Sequence, residues 1–286
     1  MIPHSRITIT GHKGMLGSQF YSRLVNRLPV QAIDLPEIDI TDRENLRGSL
    51  FDFQPELIIH CAAYTDVDKA ESEAEKAFQV NALATRWTAQ IAAEIEAQMV
   101  YFSTDYVFCD TPGVVPRNEF TLPAPRGVYA CSKFAGEQMV RRFQPQHFII
   151  RTSWLYGSNG KNFVDAILKA AAEKPFLSVV TDQIGSPTYT SDLADQTLRV
   201  IEYGDFGDYH ISGNGSCSWF QFSKAILKTA GIDRKVYPIS TASYNAPAPR
   251  PAYSVLDHLA LRYTVGDDMP HWRKSLTHYL AERKTV

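Results

Sequence analysis

The sequence predicts an α/β fold in which a doubly wound parallel sheet carries a smaller C-terminal lobe. Three observations lead there. From residue 6 to about 155, short β-branched or apolar runs alternate with helix-length amphipathic stretches, a rhythm that calls for crossover helices between parallel strands. The first run opens directly into a glycine-rich turn, Gly11-His-Lys-Gly-Met-Leu-Gly17. Beyond Tyr156 the rhythm loosens, with Pro175, Pro187, Pro238, Pro247, Pro249 and Pro251 cutting the chain into shorter pieces.

Taken in order, Arg6 to Thr10 reads as the first strand and Ser18 to Leu28 as the first helix, with Phe20, Leu24, Val25 and Leu28 at helical spacing. Between them the three glycines let the backbone approach a pyrophosphate, and the helix start offers free N–H groups. The spacing is Gly-x-x-Gly-x-x-Gly, and such a turn also arises for steric reasons alone. Val30 to Asp34 is a second strand ending in a carboxylate suited to ribose hydroxyls; the alternative is that Asp34 only begins a loop. Asp39 to Asp42 caps a helix reaching about Phe53.

Leu57 to Cys61 is apolar without alternation, as in a strand covered on both faces, and exits into the small residues Ala62-Ala63 before Tyr64-Thr65. One long helical stretch is expected over Asp68 to Glu96. Gln98 to Phe102 is the next strand, running into Ser103-Thr-Asp-Tyr-Val-Phe108, hydroxyls placed where open α/β sheets bind ligands. A proline-rich loop (Pro112 to Pro125), a helix bearing Tyr129-Ala-Cys-Ser-Lys133 and a strand over His147 to Arg151 complete the first half. Candidate helices in the second half cover Lys161 to Glu173, Ser191 to Glu202, Trp219 to Gly231 and His271 to Arg283. Residues 1–155 are therefore read as a dinucleotide-binding, Rossmann-type domain. Residues 156–286 are read mainly as a substrate lobe, with some segments returning to the first domain.

On a helix, Tyr129 and Lys133 project from one face. An ammonium near a phenol stabilises the phenolate and eases proton transfer near neutrality. The bland competitor is a half-exposed surface pair.

Composition removes several classes of function. The 286 residues are 44% apolar with a formal net charge of -2 and no long charge run, so no polyanion-binding surface is indicated and nucleic acid is not an expected partner. Cys61, Cys109, Cys131 and Cys217 are scattered without a CxxC, which points to neither a zinc site nor a disulfide framework. With the first strand starting within a few residues of Met1, no signal peptide is expected, and no apolar run is long enough for a bilayer. A cytoplasmic protein without membrane association is expected.

Assembled, these pieces resemble the extended short-chain dehydrogenases/reductases and, among them, the dTDP-4-dehydrorhamnose reductase family. The specific segments are Ser103-Thr-Asp-Tyr-Val-Phe108, Arg151-Thr-Ser-Trp154, Asp182-Gln-Ile-Gly-Ser-Pro-Thr188, and Pro249-Arg-Pro251 followed by Ser254-Val-Leu-Asp257. The resemblance implies reduction of a C4 ketone in a dTDP-sugar by NADPH or NADH. Tyr129 would protonate the oxygen, Lys133 would hold the nicotinamide ribose and lower the phenol's pKa, and Thr104 would hydrogen-bond the same oxygen. Gly11, His12, Lys13, Gly14, Met15, Leu16 and Gly17, with Asp34, Asp39, Ile40, Ala62, Ala63, Tyr64, Thr65 and Ser103, would line the dinucleotide together with Tyr129 and Lys133. Thr104, Asp105, Tyr106 and Trp154 would meet the sugar nucleotide, and Arg250 its phosphates. For Tyr106 and Trp154 the competing role is core aromatic, and for Arg250 a carboxylate pair.

Departures from the family pattern are informative. Ala130 follows the tyrosine where glycine is usual, and His60-Cys-Ala-Ala63 stands for Asn-x-Ala-Ala. Some bacterial members dimerise through magnesium held partly by a glutamate two residues past the third loop glycine. Here that position is Gln19, a poor magnesium ligand, so no metal is expected and a homodimer stays open. Asp34 favours NADH, Lys13 favours NADPH, and the balance leans slightly to NADPH. Two other functions share these motifs. A nucleotide-sugar epimerase or 4,6-dehydratase is one, although dehydratases usually carry Thr-Asp-Glu where this chain has Thr104-Asp105-Tyr106. A non-catalytic regulatory subunit of the methionine adenosyltransferase type is the other.

Overall fold

The structure, a computed structural model, describes residues 4–283. Its first unit is β1 (Ile7–Thr10), α1 (Gly17–Leu24), β2 (Val30–Ile33), α2 (Arg43–Phe53) and β3 (Leu57–His60). There follow α3 (Val67–Ala70), α4 (Ala74–Phe78), α5 (Thr85–Glu94), β4 (Gln98–Thr104), α6 (Val128–Phe143) and β5 (His147–Thr152). The sheet runs β2-β1-β3-β4-β5 and is closed at its far edge by a sixth strand, Gly207–His210. All pairings are parallel, with Ile9 opposite both Ala32 and Ile59, and Ser103 opposite Arg151.

Strands buried on both faces need two helical layers. On one face Ile7, Ile9, Leu57, Ile59 and Val100 pack with Phe20 and Leu24 of α1 and with Leu193, Val200 and Ile201 of helix Thr190–Tyr203. On the other, Ile58, Met99, Tyr101 and Ile149 pack with Leu46 and Leu50 of α2, Ala89 and Ile91 of α5 and Val140 of α6. The chain therefore leaves the sheet after β5 and later returns to it twice, with helix Thr190–Tyr203 and strand Gly207–His210. A separate core gathers Tyr156, Val164, Ile167, Phe222, Ile226, Trp272, Leu276 and Tyr279. Its helices are Phe163–Glu173, Trp219–Ala230 and Trp272–Arg283, the second opened by a reciprocal Ser218–Gln221 capping box.

Two elements differ from the sequence reading. Helix α1 stops at Leu24, four residues short of Leu28. The stretch expected as one helix over Asp68 to Glu96 is broken into α3, α4, a π-helical turn at Gln79–Ala84 and α5. No glycine or proline marks that turn in the sequence. A buried asparagine accounts for it: Asn81 turns inward, its amide accepting from Tyr64 N (2.8 Å) and donating to Tyr64 O and Ser132 Oγ (3.0 Å each). Those bonds outweigh regular helix geometry, and the wide turn accommodates the side chain.

Helix α6 lies against this turn so closely that a Cβ on Gly136 would fall 2.3 Å from Asn81 O and from the Tyr101 hydroxyl. Gly136→Ala is expected to lower stability by about 1–3 kcal/mol through overpacking. Gly48→Ala, in α2 with nothing within 4 Å of the added Cβ, is expected to be neutral or to stabilise by up to about 1 kcal/mol. Chemical denaturation of both variants checks the pair.

Candidate active site

Strand order reverses where β1 parts β2 from β3, and open α/β sheets bind ligands beyond the carboxyl ends at such a point. A cleft of about 490 Å³ opens there. Gly11, at φ +69°, presses on the exit of β3: an added Cβ would lie 2.7 Å from Ala62 N and 2.8 Å from Ala62 Cα. At Gly17 an added Cβ would meet Gly11 O at 2.1 Å. The loop therefore offers bare backbone at the start of α1, the chemistry that accommodates a pyrophosphate.

The cleft is walled by Gly11, Lys13, Gly14, Met15, Leu16 and Gly17 from that loop, and by Asp34, Asp39 and Ile40 beyond β2. Ala62, Ala63, Tyr64 and Thr65 follow from β3, Ser103 from β4, and Tyr129 and Lys133 from α6. His12, expected in the same set, is not on this wall. Its ring packs 5.5 Å from that of Tyr21, with Nδ1 3.9 Å from the Asp34 carboxylate. Sequence reasoning missed Lys76, Val80, Cys61, Phe102, Thr152 and Leu155, which also face the cleft. Cys61 and Thr152 lie at or just past strand ends, and Phe102 two residues before the end of β4, where the pattern places ligands. Lys76 and Val80 arrive only through the broken helix.

Tyr129 and Lys133 stand one turn apart on α6. The Tyr106 ring meets Tyr129 edge-on at 5.5 Å, and Lys133 Nζ lies 4.2 Å above the Tyr101 ring. Burial pushes the Tyr129 phenol up to about 12, the Thr104 hydroxyl pulling it partway back. Burial also lowers Lys133 to about 7, against the opposing charge of Glu137. The expectation that Lys133 depresses the tyrosine's pKa is thus corrected for the protein alone: the ammonium sits over Tyr101, and desolvation dominates at the phenol.

Beyond β4 the chain makes one 3-10 turn, Asp105–Phe108. Thr104 Oγ1 accepts from Tyr106 N at 3.2 Å and lies 3.2 Å from Asp105 Oδ1. Asp105 is buried, and desolvation raises its carboxyl to about 7. Trp154 adopts φ +48° and stacks on Trp219 at 3.4 Å between centroids, with planes 5° apart. Arg250 is engaged by a carboxylate, Nη2 donating to Asp68 Oδ2 at 2.8 Å and Nη1 to Oδ1 at 3.1 Å. Thr104, Asp105, Tyr106, Trp154 and Arg250 lie outside the cleft walled by the glycine loop. Gln19 shares its amide oxygen with Arg23 (2.8 Å), and among the described residues no group of three or more His, Cys, Asp or Glu could hold a metal ion. Likewise no described helix is long and apolar enough to cross a membrane.

Known proteins share this fold and sequence pattern. The family model for the RmlD substrate binding domain matches residues 5–285. The spore coat polysaccharide biosynthesis protein SpsK of Bacillus subtilis is 39% identical over 99% of both chains. The dTDP-4-dehydrorhamnose reductase of Aggregatibacter actinomycetemcomitans is 35% identical over 97% of this chain and 99% of its own. A crystal structure of dTDP-4-dehydrorhamnose reductase from Bacillus anthracis in complex with NADP superposes with a TM-score of 0.93 at 41% identity, covering 97% of this chain and 99% of that one. With similarity of this degree running from end to end, the chain belongs to the dTDP-4-dehydrorhamnose reductase family, matched by the RmlD substrate binding domain model.

Proposed function

We propose that this protein is an NAD(P)H-dependent reductase acting on the C4 ketone of dTDP-4-dehydro-6-deoxy-L-mannose (dTDP-4-dehydrorhamnose) to give dTDP-L-rhamnose. The observation that carries the reading is the pair Tyr129 and Lys133 on one face of α6, in the cleft walled by the glycine loop. The bare backbone at Gly11 and the start of α1 fits a dinucleotide pyrophosphate. The dinucleotide, when bound, supplies the hydride. Lys133 holds the nicotinamide ribose hydroxyls. Thr104 and Tyr129 hydrogen-bond the ketone oxygen, and the phenol delivers its proton there as C4 is reduced, so that no free alkoxide forms. A phenol with a high pKa stays protonated across the physiological range and is ready to donate. Thr104-Asp105-Tyr106 supplies no glutamate for elimination, which favours reduction over dehydration. The second core around Tyr156 and Phe222 is read as the substrate lobe, with Trp154 and Arg250 on the sugar-nucleotide side. Release of Arg250 from Asp68 would free a guanidinium for the diphosphate. The location is read as cytoplasmic, with a homodimer as the candidate assembly.

At the ribose end a carboxylate and an ammonium stand side by side. Asp34 accepts from the backbone N–H groups of Lys13 (2.8 Å) and Leu35 (2.9 Å). Lys13 Nζ donates to Leu35 O and Glu37 Oε2, both at 2.7 Å. Asp34 suits a free 2′-hydroxyl, and Lys13 suits a 2′-phosphate once it leaves Glu37. Both dinucleotides are accommodated on this basis.

Two outcomes are expected. With the 4-ketosugar nucleotide and NADPH, Tyr129→Phe should lose on the order of 10²–10⁴-fold in kcat/KM while dinucleotide affinity, measured by calorimetry, stays at the wild-type value. A Tyr129→Phe variant as active as wild type would remove the tyrosine from the chemistry. Glu37→Gln should free Lys13 and improve the KM for NADPH by roughly two- to fivefold with little change for NADH, as initial rates with the two dinucleotides would show.

A further inference from the structure

We propose that Glu137 is a positioning residue for the reduction, the buried counter-charge that keeps Lys133 an ammonium and fixes Ser103 at the cleft floor. The inference rests on the reading of Tyr129 and Lys133 given above. Glu137 lies one turn beyond Lys133 and two beyond Tyr129 on α6, so the three side chains form a single stripe. It is fully buried, at 0% exposure. Its Oε1 accepts from Ser103 Oγ (2.6 Å) and Arg151 Nε (2.9 Å). Its Oε2 accepts from Arg151 Nη2 (2.8 Å) and Arg141 Nη2 (3.1 Å). A buried carboxylate with four donors is rigidly held, and it ties a cleft residue of β4, the end of β5 and the catalytic stripe into one unit.

The charge count explains why a carboxylate is needed there. Lys133, Arg141 and Arg151 bring three cations under the cleft, while Asp208 pairs with Arg141 and stands 3.7 Å from Arg151. Every other titratable group facing Lys133 is held neutral. Burial keeps His60 (β3) deprotonated, pushing it down to about 3. Burial keeps Cys61 (after β3), Tyr101 (β4) and Tyr129 (α6) protonated. Among the described residues Glu137 is therefore the anion that Lys133 faces. With Glu137 neutral, the carboxylate charge that opposes desolvation at Lys133 would be gone, and in a desolvated site the ammonium would shed its proton.

The test compares wild type, Tyr129→Phe, Glu137→Gln, and Glu137→Gln combined with Arg151→Met, which removes the stranded guanidinium. Two pH profiles are recorded for each: kcat/KM with NADPH and the ketosugar nucleotide, and dinucleotide affinity by calorimetry. Loss of the lysine's proton ends both binding of the ribose and turnover on the alkaline side. Glu137→Gln should move that alkaline limb down by at least about one pH unit, roughly a tenfold loss at a fixed pH on the limb. The double variant, which strands no guanidinium, should recover thermal stability while its limb stays below that of wild type. If the single variant fails to fold, the double variant alone decides: a limb still below wild type supports the role, and a wild-type limb overturns it. Limbs identical in all folded Glu137 variants would make Glu137 merely structural. A fully active Tyr129→Phe would instead remove the tyrosine from the proposed chemistry, with the binding profile still reporting on Glu137.

Discussion

The contact on which the site depends is that of Gly11 with the backbone of Ala62. Less than 3 Å is left for any side-chain atom between them, so the loop after β1 and the exit of β3 form one continuous backbone surface. That surface sits where the sheet's strand order reverses, and the start of α1 is brought to it by the equally close packing of Gly17 on Gly11 O. Bulk at either glycine would pry the loop from the sheet and carry the helix start away with it. The shape of this backbone surface and the stability of the fold thus rest on the same close packing, imposed by sterics and not by any charged residue.

Facing that surface, α6 brings Tyr129 and Lys133 into the cleft, and both are buried there at a cost. A lysine in a desolvated position is destabilised as a cation, and a tyrosine beside it is destabilised as an anion. The protein accepts both and sets a buried acid under them. Glu137 and Arg151, each almost fully enclosed, form a pair that contributes more to where charge resides than to net stability, since burial of such pairs offsets much of their attraction. The position of α6 is itself fixed by close packing, Gly136 lying against the π-turn that Asn81 forces into the preceding helix.

The second half of the chain is less regular because it serves two cores. Helix Thr190–Tyr203 and strand Gly207–His210 complete the sheet, while the segments around them build the aromatic cluster of Tyr156, Tyr189, Phe222 and Tyr279. Trp154 stands at the passage between them in a left-handed conformation, its indole filling the space beside Gly185 and stacking on Trp219. Backbone strain of this kind persists only where packing on several sides enforces it.

Periodicity, glycine spacing and strand-end hydroxyls were enough to read the parallel sheet, the glycine turn between β1 and α1 and the Tyr129–Lys133 face, because each is local. They depend on residues within a few positions of one another, and the backbone geometry of strand, turn and helix is set at that range. The π-turn at Asn81 was not legible, since its cause is a hydrogen bond to Tyr64 seventeen positions earlier and another to Ser132 fifty-one positions later. A carboxylate pair was the competing role read for Arg250, but its partner Asp68, 182 positions away, was not legible. Spacing suggested a lowered pKa for Tyr129, whereas burial raises it in the protein alone. Spacing places two side chains together, but their charge states follow from desolvation and from the other groups that tertiary packing brings within reach.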